Sequence, residues 1–509
     1  MTDKKQRIAK NTGLLYIRSI IILLISIYTS RLLLAAFGID DYGLYNLVGG
    51  VVGLFASLKV MFAFSVQRFL SFAKGQKDKE QENIVFNVSL FLHIGIALFF
   101  FLLVEGFGCW FIPNKLNIAL ESMSNAMYVF HFSVITSAIA IIVTPYSAAL
   151  MANEKMNVYS YLSILDAFLR LGVILALPYL PYVPLRAYPV FLLEIELLNF
   201  TVYYLSCRKL PECRITGKVN KKTFKEIGSF AGWDFMGNTA WALINEGVNM
   251  ILNIFGGVAI NAARGVAYQV KNAVIQLTNN VMVASRPQII QQAAYVEKSN
   301  VFEKINLTAR MLFLVMIITV LPIIMYAKQI LGIWLVETPD YAVTFVQLTL
   351  VWCVIRTMNT PVDLAFTAYG EMKYYQIFNT IALLLNLPIA YILLNNGFSY
   401  NFAFMTFCVV EVVDIIVNLI VARRRIDFDV ALYLKKVILP NLLDSIILGV
   451  FAYLCLRFIN VEGVWQTLFA VAIVLFLSVI IVFFLLTKEE KNYILPLVKS
   501  FVKNKLKNE

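Results

Sequence analysis

Polar and apolar residues follow one another along this chain in long blocks, with none of the two-residue alternation of strands. Fourteen apolar blocks approach or exceed the roughly 20 residues that a helix needs to cross a bilayer at about 1.5 Å per residue. They fall near 11–36, 42–66, 84–106, 122–150, 157–180, 186–206, 227–254, 259–284, 305–326, 341–368, 374–395, 399–421, 433–457 and 463–486. Lipid cannot satisfy open backbone groups, so the pattern predicts an all-α integral membrane protein of about 14 transmembrane helices.

The connections carry a second pattern. Lys and Arg crowd the even-numbered connections and both ends, as at Lys4, Lys5, Arg7 and Lys10, at Arg208, Lys209 and Arg214, and at Arg423, Arg424 and Arg425. The opposite connections hold few, such as Lys115, Arg186, Lys328 and Arg457. The positive-inside rule then puts both termini in the cytoplasm. The first block is too long for a cleavable signal and is expected to be a retained helix.

Composition agrees. Of 509 residues, 60% are apolar and 15% charged, against about 45–50% and 25% in ordinary soluble domains. Mean hydropathy is +0.76. The net charge of +12 is absorbed by the cytoplasmic connections, which leaves no case for nucleic acid as a partner. No loop is long enough for a soluble catalytic module, so the chain is not expected to be an enzyme. Six cysteines without a CxxC and two histidines, His93 and His131, suggest packed residues and neither a metal site nor a cofactor.

The chain also resembles itself at an offset near 217. Phe37-Gly38 matches Phe255-Gly256, Arg68 matches Arg286, Thr144-Pro145 matches Thr360-Pro361, and Glu194 matches Glu411. The expected organisation is an N-terminal six-helix lobe (1–210), a C-terminal six-helix lobe (211–425) and two further helices with a tail (426–509). A six-helix repeat enters the membrane the same way twice, which implies a pseudo-two-fold along the membrane normal and a central site between lobes.

Charges at membrane depth cost roughly 2.5–3.5 kcal/mol each, so they face a cavity or a partner. Segment seven carries Asp234, Asn238, Asn245 and Asn249 on a narrow arc, and segment eight carries Arg264, Tyr268, Lys271 and Asn272 on another. Their repeat counterparts, segments one and two, offer Arg18 and Lys59. Arg18, Lys59, Arg264 and Lys271 form a candidate cationic centre, and the amides suit a hydroxyl-rich ligand. Asp234, Glu194 and Glu411 are candidate ion-coupling acids, although the two glutamates also suit a bracing role. Asp166 and Arg170, at i and i+4, are expected to pair.

The opening Arg7-Ile-Ala-Lys-Asn-Thr-Gly, the run Leu34-Ala-Ala-Phe-Gly-Ile-Asp-Asp-Tyr-Gly-Leu-Tyr-Asn and Ser65-Val-Gln-Arg-Phe-Leu resemble the oligosaccharide flippases of the polysaccharide transport family. That family shares a superfamily with the multidrug and toxic-compound extruders and the lipid II flippase. The resemblance covers essentially the whole chain. It implies transfer of an undecaprenyl-pyrophosphate-linked oligosaccharide, an O-antigen or capsule unit, from the cytoplasmic to the outer leaflet of the bacterial inner membrane by alternating access. Basic residues of helices 1, 2, 7 and 8 would hold the pyrophosphate, and helices 13 and 14 would guide the polyprenyl tail. The implied partners are the lipid-linked oligosaccharide, membrane lipids, and the polymerase and glycosyltransferases of polysaccharide assembly. Two rival readings stay open: a cation-coupled drug or small-solute antiporter on the same scaffold, and a membrane-embedded polymerase or glycosyltransferase. No GxxxxGK[ST] phosphate loop occurs, which excludes ATP-driven pumping by this chain alone.

Overall fold

A computed structural model describes the chain except residues 1, 56–65, 67–68, 71–72, 75–77, 154, 294–297, 370, 459–460, 462, 488–489 and 492–509. For helical residues 2–17, 19–20, 156, 229–241, 277–281, 283–288, 290–293, 367, 372–374 and 458 the backbone alone is described. Among the described residues every regular element is helical. The long ones are α1 (Thr2–Gly53), α2 (Lys79–Lys115), α3 (Leu120–Ala152), α4 (Met156–Ala176), α5 (Pro184–Cys207), α6 (Lys221–Ala293) and α7 (Lys298–Met325). They continue with the short α8 (Ala327–Trp334), then α9 (Ala342–Arg356), α10 (Thr360–Tyr369), α11 (Met372–Leu384), α12 (Asn386–Asn395), α13 (Asn401–Ile426), α14 (Leu439–Phe458) and α15 (Val464–Leu485).

Twelve described stretches are long and apolar enough to cross a membrane. Two of them, Ile21–Gly53 and Ala242–Gln276, are interrupted by a glycine. Gly38 (φ 75°, ψ 177°) and Gly257 (φ 71°, ψ −172°) adopt a backbone conformation that a Cβ all but forbids. At Gly257 the chain folds back on itself. Asn245 meets Arg264 and Tyr268, while Asn249 and Asn253 meet Asn261, as two antiparallel arms require. With each interrupted stretch counted as two, the spans among the described residues number fourteen, and the chain is a multi-pass all-α membrane protein.

The kink glycines also correct the repeat register. Gly38 takes the conformation of Gly257, not of Gly256, so the local offset is 219. A Cβ on Gly43 would lie 2.0 Å from the Val258 carbonyl oxygen and 3.3 Å from the Ala262 nitrogen, and one on Gly265 would lie 3.1 Å from the Asn46 side chain. Gly43 with Ala262 and Asn46 with Gly265 also stand 219 positions apart. Residues on a two-fold axis touch their own counterparts, and these arms of α1 and α6 do so. The second glycine of the Phe-Gly…Tyr-Gly motif is therefore there for backbone approach.

The chain separates into two compact units. Unit one comprises Met1–Gln269, Leu335–Ala342 and Leu383–Ala403; unit two comprises Val270–Trp334, Val343–Ala382 and Phe404–Glu509. In unit one, α3 packs mainly against α2 and α5, around Phe86, Tyr146, Leu150 and Cys207. The connection after α5 is pinned under this core. Asn83 and Asn87 donate to the Arg214 carbonyl at 2.8 and 3.0 Å, and Glu212 accepts from Lys74 at 2.9 Å and Asn153 at 2.7 Å. Burial opposes the Glu212 charge, but these donors outweigh it and hold the carboxyl below its ordinary pKa. In unit two, Arg310 of α7 is fully buried and paired with Asp444 of α14 at 2.8 Å and with Glu490 at 2.8 Å. Thr487 and Glu490 exchange reciprocal backbone-to-side-chain hydrogen bonds of the capping-box kind, so the segment after α15 is anchored at Glu490.

Candidate functional site

Unit one holds a partly open cavity of about 530 Å³ between α1, α3, α4 and α5. Its polar wall comes from residues that a lipid-facing helix would not carry: Arg18, Ser26 and Thr29 of α1, Asp166 and Arg170 of α4, and Glu196 and Asn199 of α5. Arg170 donates to Asp166 at 2.9 Å, the expected i, i+4 pair, and Asn199 donates to the other Asp166 oxygen at 2.7 Å. Glu196 stands 3.9 Å from Arg170. The Arg18 guanidinium lies 4.8 Å from the centroid of Tyr159. Its buried Nε has no hydrogen-bond partner among the described residues. Arg170 and Glu196 also border a neighbouring cavity of about 290 Å³.

The α6 hairpin carries the predicted amide stripes. Asn261 donates to the Asn249 side chain at 2.7 Å, and Asn253 donates to Asn261 at 3.1 Å. Tyr268 donates to Asn245 at 3.0 Å, and Arg264 donates to the Asn245 carbonyl while stacking 3.9 Å over the Tyr268 ring. In this conformation the Asn249, Asn253 and Asn261 amides are engaged with one another and with nearby backbone, and the Asn245 side-chain oxygen accepts from Tyr268, along an arm-to-arm seam.

Unit two holds a second polar centre, built where Pro361 removes a backbone donor and α9 gives way to α10. The intervening turn presents Asn359. Its amide nitrogen donates to Glu411 at 3.1 Å and to Asp414 at 2.6 Å, and its oxygen accepts from Asn418 at 3.0 Å. Glu411, wholly buried, also accepts from Trp352 at 3.0 Å and from Arg356 at 3.1 Å. The Lys271 ammonium lies 5.6 Å from the centroid of the same Trp352 ring. One oxygen of Asp414 and that of Asn418 lack partners among the described residues. A cavity of about 200 Å³ touches Trp352, Arg356 and Thr360.

The predicted residues thus divide. Arg18 lines the unit-one cavity; Arg264, Tyr268, Asn245 and Asn249 lie on the hairpin seam; Lys271 and Glu411 meet at Trp352. Asn272 is exposed on α6. Glu194 is exposed on α5, and the acid turned toward the cavity is Glu196, two positions on. Lys59 lies outside the described residues, as do the side chains of Asp234 and Asn238. Asp414 and Asn418 are not among the predicted residues, though their spacing of three and seven residues from Glu411 puts all three on one helical face.

No family profile matches this chain, and no curated protein matches it by sequence. Its fold is nonetheless that of known transporters. An inward-facing multidrug-resistance MATE transporter of the MOP superfamily superposes with a TM-score of 0.66 at 13% identity, covering 80% of this chain and 94% of that one. The inward-closed lipid II flippase MurJ gives 0.65 at 12% identity, covering 92% of this chain and 98% of its own. An outward-facing MATE transporter gives 0.57 at 14% identity, over 82% and 96%.

Proposed function

We propose that the chain is a flippase that moves an undecaprenyl-pyrophosphate-linked oligosaccharide from the cytoplasmic to the outer leaflet by alternating access. The observation that carries this reading is the extent of the flippase match. The share of the chain it leaves uncovered is smaller than the stretch 427–509, so the likeness to MurJ reaches into the two C-terminal spans. These spans suit a substrate with a polyprenyl tail, since α15 is almost wholly apolar. A diphosphate leaving water needs charge compensation. The buried Nε of Arg18, unpartnered among the described residues, and the ammonium of Lys271 offer it, with Arg264 and Lys59 as further basic candidates. Asn238, Asn245, Asn249, Tyr268 and Asn272 would read sugar hydroxyls when the seam opens. Glu411, joined to the Lys271 site through Trp352, would couple that opening to a cation or proton, and Asp234 and Glu194 remain candidates for the same task.

A second reading, a cation-coupled drug antiporter, draws on the MATE superpositions and on the sealed acids of unit two. Vesicles carrying a fluorescent polyprenyl-diphosphate oligosaccharide separate the two. The flippase reading expects tag transfer between leaflets, slowed roughly ten- to hundredfold in Arg18→Ala and Lys271→Ala, the worth of a charge-assisted hydrogen bond. Unchanged transfer in both variants overturns the diphosphate clamp. Efflux of a lipophilic cation with no lipid transfer establishes the antiporter.

A further inference from the structure

Glu105 and Cys109 stand one turn apart on α2, and His131 of α3 faces them. The Glu105 carboxylate oxygen is 2.8 Å from His131 Nδ1 and 3.7 Å from Cys109 Sγ, and the three candidate donor atoms all lie within 4.8 Å of one another. A carboxylate, an imidazole and a thiol at such separations match the donor set of borderline-soft divalent metals, which take oxygen at about 2.0–2.2 Å, nitrogen at about 2.0–2.1 Å and sulfur at about 2.3 Å.

The surroundings favour a ligand over a packing role. Phe107, Trp110 and Phe111 form an aromatic cluster beside the triad, with the Lys115 ammonium 5.9 Å from the Trp110 ring. Trp110 beside Lys115, near the end of α2, is the kind of pair that anchors a helix at the membrane–water boundary. Cys109 is exposed, whereas Cys408 is half-buried and Cys207, Cys213, Cys353 and Cys455 are buried. The His131 side chain is 43% exposed and Glu105 19%, so neighbouring side chains do not close off a further ligand position.

We infer that Glu105, Cys109 and His131 form a site for a divalent transition metal of the zinc class, clamping α2 to α3 within unit one. On binding, the Cys109 thiol loses its proton to water and the sulfur bonds the metal. The neutral His131 ring, whose Nδ1–H donates to Glu105 in the free site, gives that proton to water, takes one from water on Nε2, and donates the freed Nδ1 lone pair to the metal. Glu105 exchanges its two hydrogen bonds for one metal–oxygen bond, and one proton is released per metal bound. The fold supplies what the sequence hides: the i, i+4 pair is visible along α2, but the third donor comes from the neighbouring helix.

The test uses the full-length protein in detergent, so that it does not depend on sidedness. A maleimide should label Cys109, with the label absent in Cys109→Ser. Zn²⁺ should slow this labelling at least about tenfold, EDTA should restore it, and Mg²⁺ should have no effect. His131→Gln and Glu105→Gln should label normally but lose the protection. Co²⁺ should give a thiolate charge-transfer band in the wild type and none in Cys109→Ser, which decides the matter if the thiol labels slowly without metal. Unslowed labelling together with no cobalt band, or undiminished protection in both His131→Gln and Glu105→Gln, overturns the site.

Discussion

The two polar centres of this chain solve one problem in opposite ways. In unit one, Arg170 and Asp166 remain 34% and 27% exposed on the wall of an open cavity. In unit two, Glu411 is wholly buried and Arg356 is 19% exposed, within a closed set of donors and acceptors. Both units contain a Thr-Pro at the corresponding place, and both threonines donate to the carbonyl four residues back, Thr144 at 3.2 Å and Thr360 at 3.1 Å. Pro145 nevertheless stays inside a continuous α3, while at Pro361 the helix breaks and Asn359 is turned onto the acids. A shared motif therefore yields a rigid wall in one unit and a polar joint in the other. A wet ion pair changes partners cheaply. A dry one changes only when the break beside it moves.

The largest effect expected from this contrast is at Arg356. Arg356→Met leaves Glu411 charged and buried without its cation, a loss of about 3–5 kcal/mol for a broken buried pair. Cys353 is buried beside it and reports the opening of unit two through its reactivity to a thiol dye, while Cys207 and Cys213 report unit one. Arg356→Met should unmask Cys353 at much lower temperature and leave the unit-one thiols protected. Adding Glu411→Gln should recover much of the loss, because the isolated charge is then gone. No change in Cys353 unmasking would show that the network is not dry.

The amides give a middle-sized comparison. Asn359→Ala removes a donor from Glu411 and Asp414 together, which should cost about 1–3 kcal/mol because buried acceptors lose their partner. Asn199→Ala also removes a donor from a carboxylate, Asp166, but water in the cavity can replace it, so the loss should stay below about 1 kcal/mol. Equal losses, measured by the same thiol unmasking, would mean that the cavity is closed to water.

Much of this architecture is legible along the chain, and the limits have physical causes. Fourteen spans follow from lipid's intolerance of open backbone, and Gly38 follows from a conformation that only glycine adopts freely. The repeat offset slipped by one because Gly256 and Gly257 are adjacent and only the backbone distinguishes them. The match to Glu411 points to Glu194, yet Glu196 is the acid that reaches the cavity; two positions turn a helix by about 200°, so a face assigned by repeat alone can miss. Asp414 and Asn418 share a face with Glu411 and were readable. Asn359 was not, because its role depends on a helix break that the same Thr-Pro does not cause in α3. Donors from neighbouring helices, such as His131 beside Glu105, are invisible to any period along one helix.

The smallest predicted effect is the sharpest check on the contrast. Arg170→Met removes the cation from Asp166 and Glu196 in unit one, an arrangement superficially like that around Arg356. Because both partners of the main pair are partly exposed, the Coulomb gain is screened and the pair is worth about 0.2–1 kcal/mol. Thermal unmasking of Cys207 and Cys213 should therefore shift little. The difference from wild type should shrink further as salt is raised, since screening lengths fall to about 3 Å at 1 M. The corresponding Arg356→Met deficit should persist in the same salt. A large, salt-insensitive loss at Arg170 would place its ion pair in the dry class and erase the distinction between the two units.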